Sequence, residues 1–274
     1  MTDEPNPLGA YVRARRELVT PEQAGIPAQG VRRVPGLRRE EVAMLAGISA
    51  DYYLRLEQGR DRNPSVQVLE SLARVLRLDE DATAYLLRLG ADRPRRRRRR
   101  ARQETVPPGV AQLVAALPLP ALVEGRYFDV LAVNALATAL SPRFSVGANR
   151  LRDIFLDPAE QARHPGWEEA GAGMVAGFRS SVGTDTDDPR VVELVGELSL
   201  ASPYFSRLWA RHDVASCDGA AKVVEHPQVG RLRLNRERLN VSGAAGQTLV
   251  VYHPDPGSGS AEKLALLASA LPTG

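Results

Sequence analysis

The sequence predicts a multidomain chain: a five-helix all-α domain followed by an α+β domain built on an antiparallel sheet. Three observations carry that prediction. Apolar residues recur at helical spacing from Leu8 to Leu89, whereas beyond Val106 short alternating segments of strand character bracket a helical block. Between the two, the ten positions Arg93 to Arg102 hold eight arginines, a density of like charge that no core admits. The third is size: 274 residues, 43% of them apolar, suffice for two ordinary cores. The boundaries read as 1–92, a linker at 93–105, and 106–274.

Leu8 to Val19 reads as a first helix, with Leu8, Val12 and Leu18 available to pack and Arg13, Arg15 and Arg16 on other faces. Thr20 to Gly36 holds three prolines and three glycines and cannot continue it. Arg32 and Arg33 end this loop, which either follows a phosphate strand, reaches into a minor groove, or is a solvated connection. Leu37, Val42, Leu45 and Ala46 then recur at helical intervals. Gly47 can take the left-handed angles of a sharp turn, and Ser49 can cap a second helix beginning near Ala50. There Tyr53 and Leu56 face back toward the preceding helix. Ala50, Asp51, Tyr52 and Arg55 are left outward, on the side that a major groove would meet. Ser65 caps a helix to about Leu76, and Asp79-Glu80-Asp81 opens a fifth helix, its acids suited to the positive end.

Past the arginines, Val110, Leu113, Val114 and Leu117 make a short helix. Ala121 to Arg126 and Phe128 to Val133 alternate as a hairpin around Arg126-Tyr127, and Asn134 caps a helix through Leu140. Helices are expected near Asn149–Leu156, Ala159–Ser180, Pro189–Ala201 and Pro203–Arg211. Strands at Ala221–Glu225, Gly230–Val241 and Thr248–His253 precede a last helix from Ser260 to Leu271. Two strands, a helical block, three strands and a helix make an antiparallel sheet with its helices mainly on one face, able to enclose a pocket.

Ala43, Gly47, Ile48, Leu56, Glu57 and Gly59 stand where Xre-type helix-turn-helix repressors carry their marker residues. The strings Arg32 to Ala43, Tyr52-Tyr53 and Arg55 to Arg60 resemble the branch that also carries a MmyB-like ligand-binding domain. Phe128 to Asn134, Trp209 to Val214, His226 to Gly230 and Pro256 to Glu262 are similar to that domain itself. The resemblance implies a PAS-like fold and a sensor for a small apolar or acyl-chain ligand. It also implies a structural ion pair between Arg16 and Glu57, with no DNA role for Arg16.

Arg55 is long, cationic and outward, and bidentate contact with guanine is the commonest specific use of such a side chain. Its competing reading is an i,i+4 surface pair with Asp51. The resemblance adds Ala50, Asp51 and Tyr52 at base edges. Arg39, at the start of the first motif helix, and Gln58, after the second, are expected to hold phosphates, with Arg38, Arg62 and Arg33 as further contacts. In the second domain Phe155, Trp167, Phe178, Tyr204, Phe205 and Trp209 are the aromatic material, either plain core or the lining of a ligand pocket.

Residues 1–104 hold 21 arginines against 15 acids, and residues 105–274 hold 15 basic residues against 18 acids, so the halves carry +6 and −3. That asymmetry fits a polyanion-binding domain beside one of different purpose. The single cysteine, Cys217, excludes an internal disulfide framework and fits a reducing cytoplasm. No apolar run reaches the roughly 20 residues of a membrane span. His164, His212, His226 and His253 lack the spacing of a metal site, and Gly171, Gly173 and Gly177 lack the preceding strand of a phosphate loop. No metal, no cofactor and no catalysis are expected. The alternatives are an enzyme centred on His212, Asp213 and Cys217, and a protein-docking module with a solid core. The leading expectation is a cytoplasmic homodimer on a palindromic double-stranded operator, its DNA affinity shifted by a small-molecule ligand.

Overall fold

The computed structural model describes residues 6–27, 32, 34–61, 63–91, 104–183, 185, 187–215 and 221–271. The amino-terminal helices are α1 (Pro7–Leu18), α2 (Arg39–Ala46), α3 (Ala50–Glu57), α4 (Val66–Val75) and α5 (Glu80–Gly90). Four of the five begin where a short polar side chain takes an orphan amide: Asn6 accepts from Leu8, Ser49 from Tyr52, Ser65 from Val68 and Asp79 from Ala82. In α2 the cap runs the other way, with the Glu41 carboxylate accepting from the Arg38 amide over 2.7 Å. The stripes these helices bury, among them Tyr11, Val42, Tyr53, Leu56, Leu72 and Leu86, meet in one core that Leu37 joins from the loop before α2.

The second domain opens with α6 (Pro108–Ala116), β1 (Ala121–Glu124), β2 (Val130–Val133) and α7 (Ala135–Leu140). A helical block follows: α8 (Arg150–Leu156), α9 (Pro158–Arg163), α10 (Trp167–Val182), α11 (Pro189–Ala201) and α12 (Pro203–Ala210). Strands β3 (Lys222–His226), β4 (Gly230–Asn240) and β5 (Thr248–His253) and helix α13 (Gly259–Ser269) complete it. The sheet is antiparallel in the order β2-β1-β5-β4-β3, with β4 pairing β3 through its first half and β5 through its second. Alternation divides the faces, so Leu122, Val250 and Tyr252 pack with α7 and α13 while Ala121, Val123 and Leu249 pack beneath α6. Asn134 ties these layers. Its amide donates to the carbonyls of Val114, Leu117 and Leu119, and its oxygen accepts from Ala121 and Ala137.

The all-α and α+β architecture is the expected one, with three departures. The single helix expected over Ala159–Ser180 is two, α9 and α10, because Pro165 cannot donate and Gly166 turns through φ +82°. The hairpin turns at Arg126-Tyr127 as expected, where the Phe128 amide donates to the Gly125 carbonyl over 3.0 Å and the Gly125 amide to the Asp129 carbonyl over 2.9 Å, with Phe128 at φ +65°. Its strands are shorter than the alternation suggested. Helices also lie on both faces of the sheet, since α6 covers the face opposite α7 and α13.

Candidate nucleic-acid interface and sensor core

The α2-turn-α3 unit is built as its residues dictate. Gly47 sits at φ +70° and its amide closes α2 onto the carbonyls of Ala43 and Met44, while the Ser49 hydroxyl accepts from Tyr52 over 3.1 Å. Tyr53 and Leu56 are fully buried and fix α3 by its inner side. On the other side Ala50, Asp51 and Arg55 are exposed and Tyr52 is half-buried. The Arg55 guanidinium pairs with Asp51, one helical turn back, and lies 6.0 Å from the Tyr52 ring centre. The surface pair and the outward placement are thus both present.

One carboxylate holds the head together. The Glu57 side chain is almost wholly buried; it accepts from Arg16 Nε over 2.7 Å and from Arg39 Nε over 2.6 Å, and Arg16 also donates to the Leu37 carbonyl over 2.8 Å. Burial pushes the Glu57 carboxyl up, but the hydrogen bonds from Arg16 and Arg39 outweigh it and hold it below the usual range. The Arg16–Glu57 pair is as the resemblance implied. Arg39 is anchored at its Nε and still about half exposed, a preorganised cation at the start of α2. Arg38 and Gln58 are exposed beside it. Arg33 and Arg62 lie outside the described residues, as does the arginine run. Arg32 is not free to follow a phosphate strand: it makes two bonds to Glu41, at 2.9 and 2.7 Å, and one to the Gly36 carbonyl.

The six aromatic candidates of the second domain converge. Phe155 meets Phe205 at 5.2 Å and Tyr204 at 6.1 Å, and Trp167 meets Tyr204 at 5.5 Å. Phe178 meets Trp209 at 5.8 Å, and Phe205 stacks on Trp209 at 6.0 Å. The rings fill the space between α8, α10 and α12 by touching one another. Missed by sequence reasoning is Arg179 of α10, buried beside this cluster with its guanidinium 3.8 Å from the Trp209 ring. Its only signal was a lone arginine in the apolar run Met174 to Phe178.

Arg179 also decides the state of His212. A guanidinium can only donate, so the His212 Nδ1, 3.1 Å away, accepts and the ring is neutral. Burial, then the charges of Arg179 and Arg15, lower its pKa to about 4. Asp213 faces Arg15 and Arg211, and Cys217 lies outside the described residues. The His-Asp pair therefore has the contacts of a structural corner, with Nδ1 already occupied. Among the described residues no cluster of histidine, cysteine or carboxylates is shaped to hold a metal, and no helix is long and apolar enough to cross a membrane.

A helix-turn-helix head with an open outer face, joined to a separate α+β domain, defines the class: a ligand-responsive transcription regulator. Residues 7–86 match a helix-turn-helix domain, and residues 106–267 match the MmyB-like transcription regulator ligand binding domain. The latter match spans more than half of the chain, which belongs to that family. Comparison with curated proteins finds no match.

Proposed function

We propose that the chain binds a palindromic double-stranded DNA operator as a cytoplasmic homodimer. Ala50, Asp51, Tyr52 and Arg55 read base edges, and Arg38, Arg39 and Gln58 hold phosphates, joined by Arg33 and Arg62. Residues 1–92 form the reading domain, 93–105 the linker and 106–274 the sensor. The observation that carries this reading is the asymmetry of α3, whose Tyr53 and Leu56 side is locked inward while Asp51 and Arg55 stand exposed. One short helix reads only a few base pairs, so a second copy on the opposite half-site multiplies the information. The ligand is a small apolar or acyl-chain molecule that enters among the six rings. It favours one arrangement of the two heads and so shifts operator affinity, with no chemical turnover.

Selection of duplexes from a random pool tests this directly. The wild-type chain should enrich an inverted repeat. Arg55→Ala should lose preference at one guanine per half-site, at a cost of about 1–3 kcal/mol. Arg39→Gln should instead weaken all sequences alike and lower the slope of log affinity against log salt by about one per protomer. An Arg55→Ala protein with unaltered preference removes that residue from the reading set.

A further inference from the structure

The two domains meet through side chains that neither the reading face nor the ring cluster requires. Arg15 of α1 donates to Asp213 over 2.5 Å, and the Tyr85 hydroxyl of α5 donates to the Gly183 carbonyl, at the end of α10, over 3.2 Å. The Tyr11 ring of α1 meets the His212 ring edge-on at 6.4 Å. Val214, from the loop after α12, is buried in the core of the five-helix domain.

At the centre is Arg179, only 3% exposed. A buried charge is costly unless its surroundings compensate it. Here the compensation is partial and comes from both domains: the Trp209 ring and carbonyl, the His212 nitrogen and Asp213 on one side, and a hydrogen bond with the neutral Tyr85 hydroxyl on the other, while the Arg179 Nε is left without a partner and burial still lowers the pKa of the guanidinium. His212 is held at φ +54°, where residues other than glycine seldom sit unless their neighbours over-determine them. Trp209 faces two ways, stacking on Phe205 inside the ring cluster and flooring Arg179 outside it.

We infer that this joint is a docking socket on the sensor domain for α1 and α5 of the DNA-binding domain, and that Trp209 sets its fit. Only the nature of the signal rests on the sensor reading above; the docking does not. With the joint closed the outer face of α3 is still exposed, so the device controls how the head is aimed and does not cover it. A molecule seated between Phe205 and Trp209 draws the indole from under Arg179 and leaves that charge short of compensation. The closed joint then loses population to an open one.

The test uses the full chain without ligand or DNA, so its outcome is separate from that of the sensor reading. Spin labels at Glu70 and Leu266, both exposed and in different domains, in a Cys217→Ser background report the interdomain distance by pulsed dipolar spectroscopy. The parent should give one narrow distance. Arg15→Glu, which sets two carboxylates face to face, should add a longer-distance population, and so should Trp209→Leu. Arg15→Lys, which keeps a cation facing Asp213, should retain the narrow one, and an unchanged circular dichroism spectrum of Arg15→Glu separates undocking from misfolding. An unchanged distance in Arg15→Glu, or a longer-distance population in Arg15→Lys equal to that in Arg15→Glu, overturns the docking. An unchanged distance in Trp209→Leu overturns the link to the ring cluster.

Discussion

His212 holds its place by staying uncharged. Its Nδ1 accepts from Arg179, and protonation would set an imidazolium against the guanidiniums of Arg179 and Arg15, with Asp213 the opposing charge. Its pKa falls from 6.5 in the unfolded chain to about 4 in the fold. Between those values the unfolded state takes up a proton that the folded state refuses. The stabilisation is therefore complete above pH 6.5, declines as pH falls, and is exhausted near pH 4. A shift of that size is worth at most about 3 kcal/mol. Urea unfolding at a series of pH values should show wild-type stability falling over this window more steeply than that of His212→Gln, which carries no titrating ring. A wild-type His212 that titrates near 6.5 by NMR would contradict the arrangement.

At the level of elements, most starts and stops were legible, because Ser49, Ser65, Asp79 and Asn134 can take orphan amides wherever they fall before an apolar stripe. What periodicity could not supply was proximity. Gly9 looked like an ordinary position in α1, yet a Cβ there would lie 2.3 Å from the Glu57 carbonyl oxygen and 2.8 Å from that of Leu56. That glycine lets α1 press against the end of the reading helix where Arg16 meets Glu57. Gly9→Ala must push backbone from backbone and should lower stability by about 1–3 kcal/mol, with weaker DNA binding as α3 shifts. Gly196, in mid-α11, would place its Cβ in open space, so Gly196→Ala should raise stability by about 0.5–1 kcal/mol. Chemical denaturation of both variants separates tight packing from helix propensity. The split of α9 from α10 has a similar lesson, since Pro165-Gly166 was visible but the apolar spacing on either side outweighed it.

At the level of the whole molecule, the order of the two domains could be read from the arginine run and the change of texture after it, but their joint could not. Tyr11, Tyr85, Arg179 and His212 are scattered along the chain, and nothing local marks them as neighbours. The same holds for the six rings, recognisable as aromatic but not as one cluster. Because they fill their space with one another, a ligand must exchange ring contacts, each worth about 0.5–1.5 kcal/mol beyond burial, for contacts of its own. On the proposed reading the ligand is an apolar chain, which can make that exchange through contacts of its own. Trp167 and Trp209 are the only two tryptophans, and both lie in the cluster. In a Trp167→Phe protein, emission therefore reports Trp209 alone. Titration with straight-chain fatty acids, below the concentrations at which they form micelles, should shift that emission in a saturable way for one range of chain lengths. The same chain lengths should change affinity for the selected duplex. Emission that stays constant across the series would mean that the rings are core alone and that any ligand is seated elsewhere.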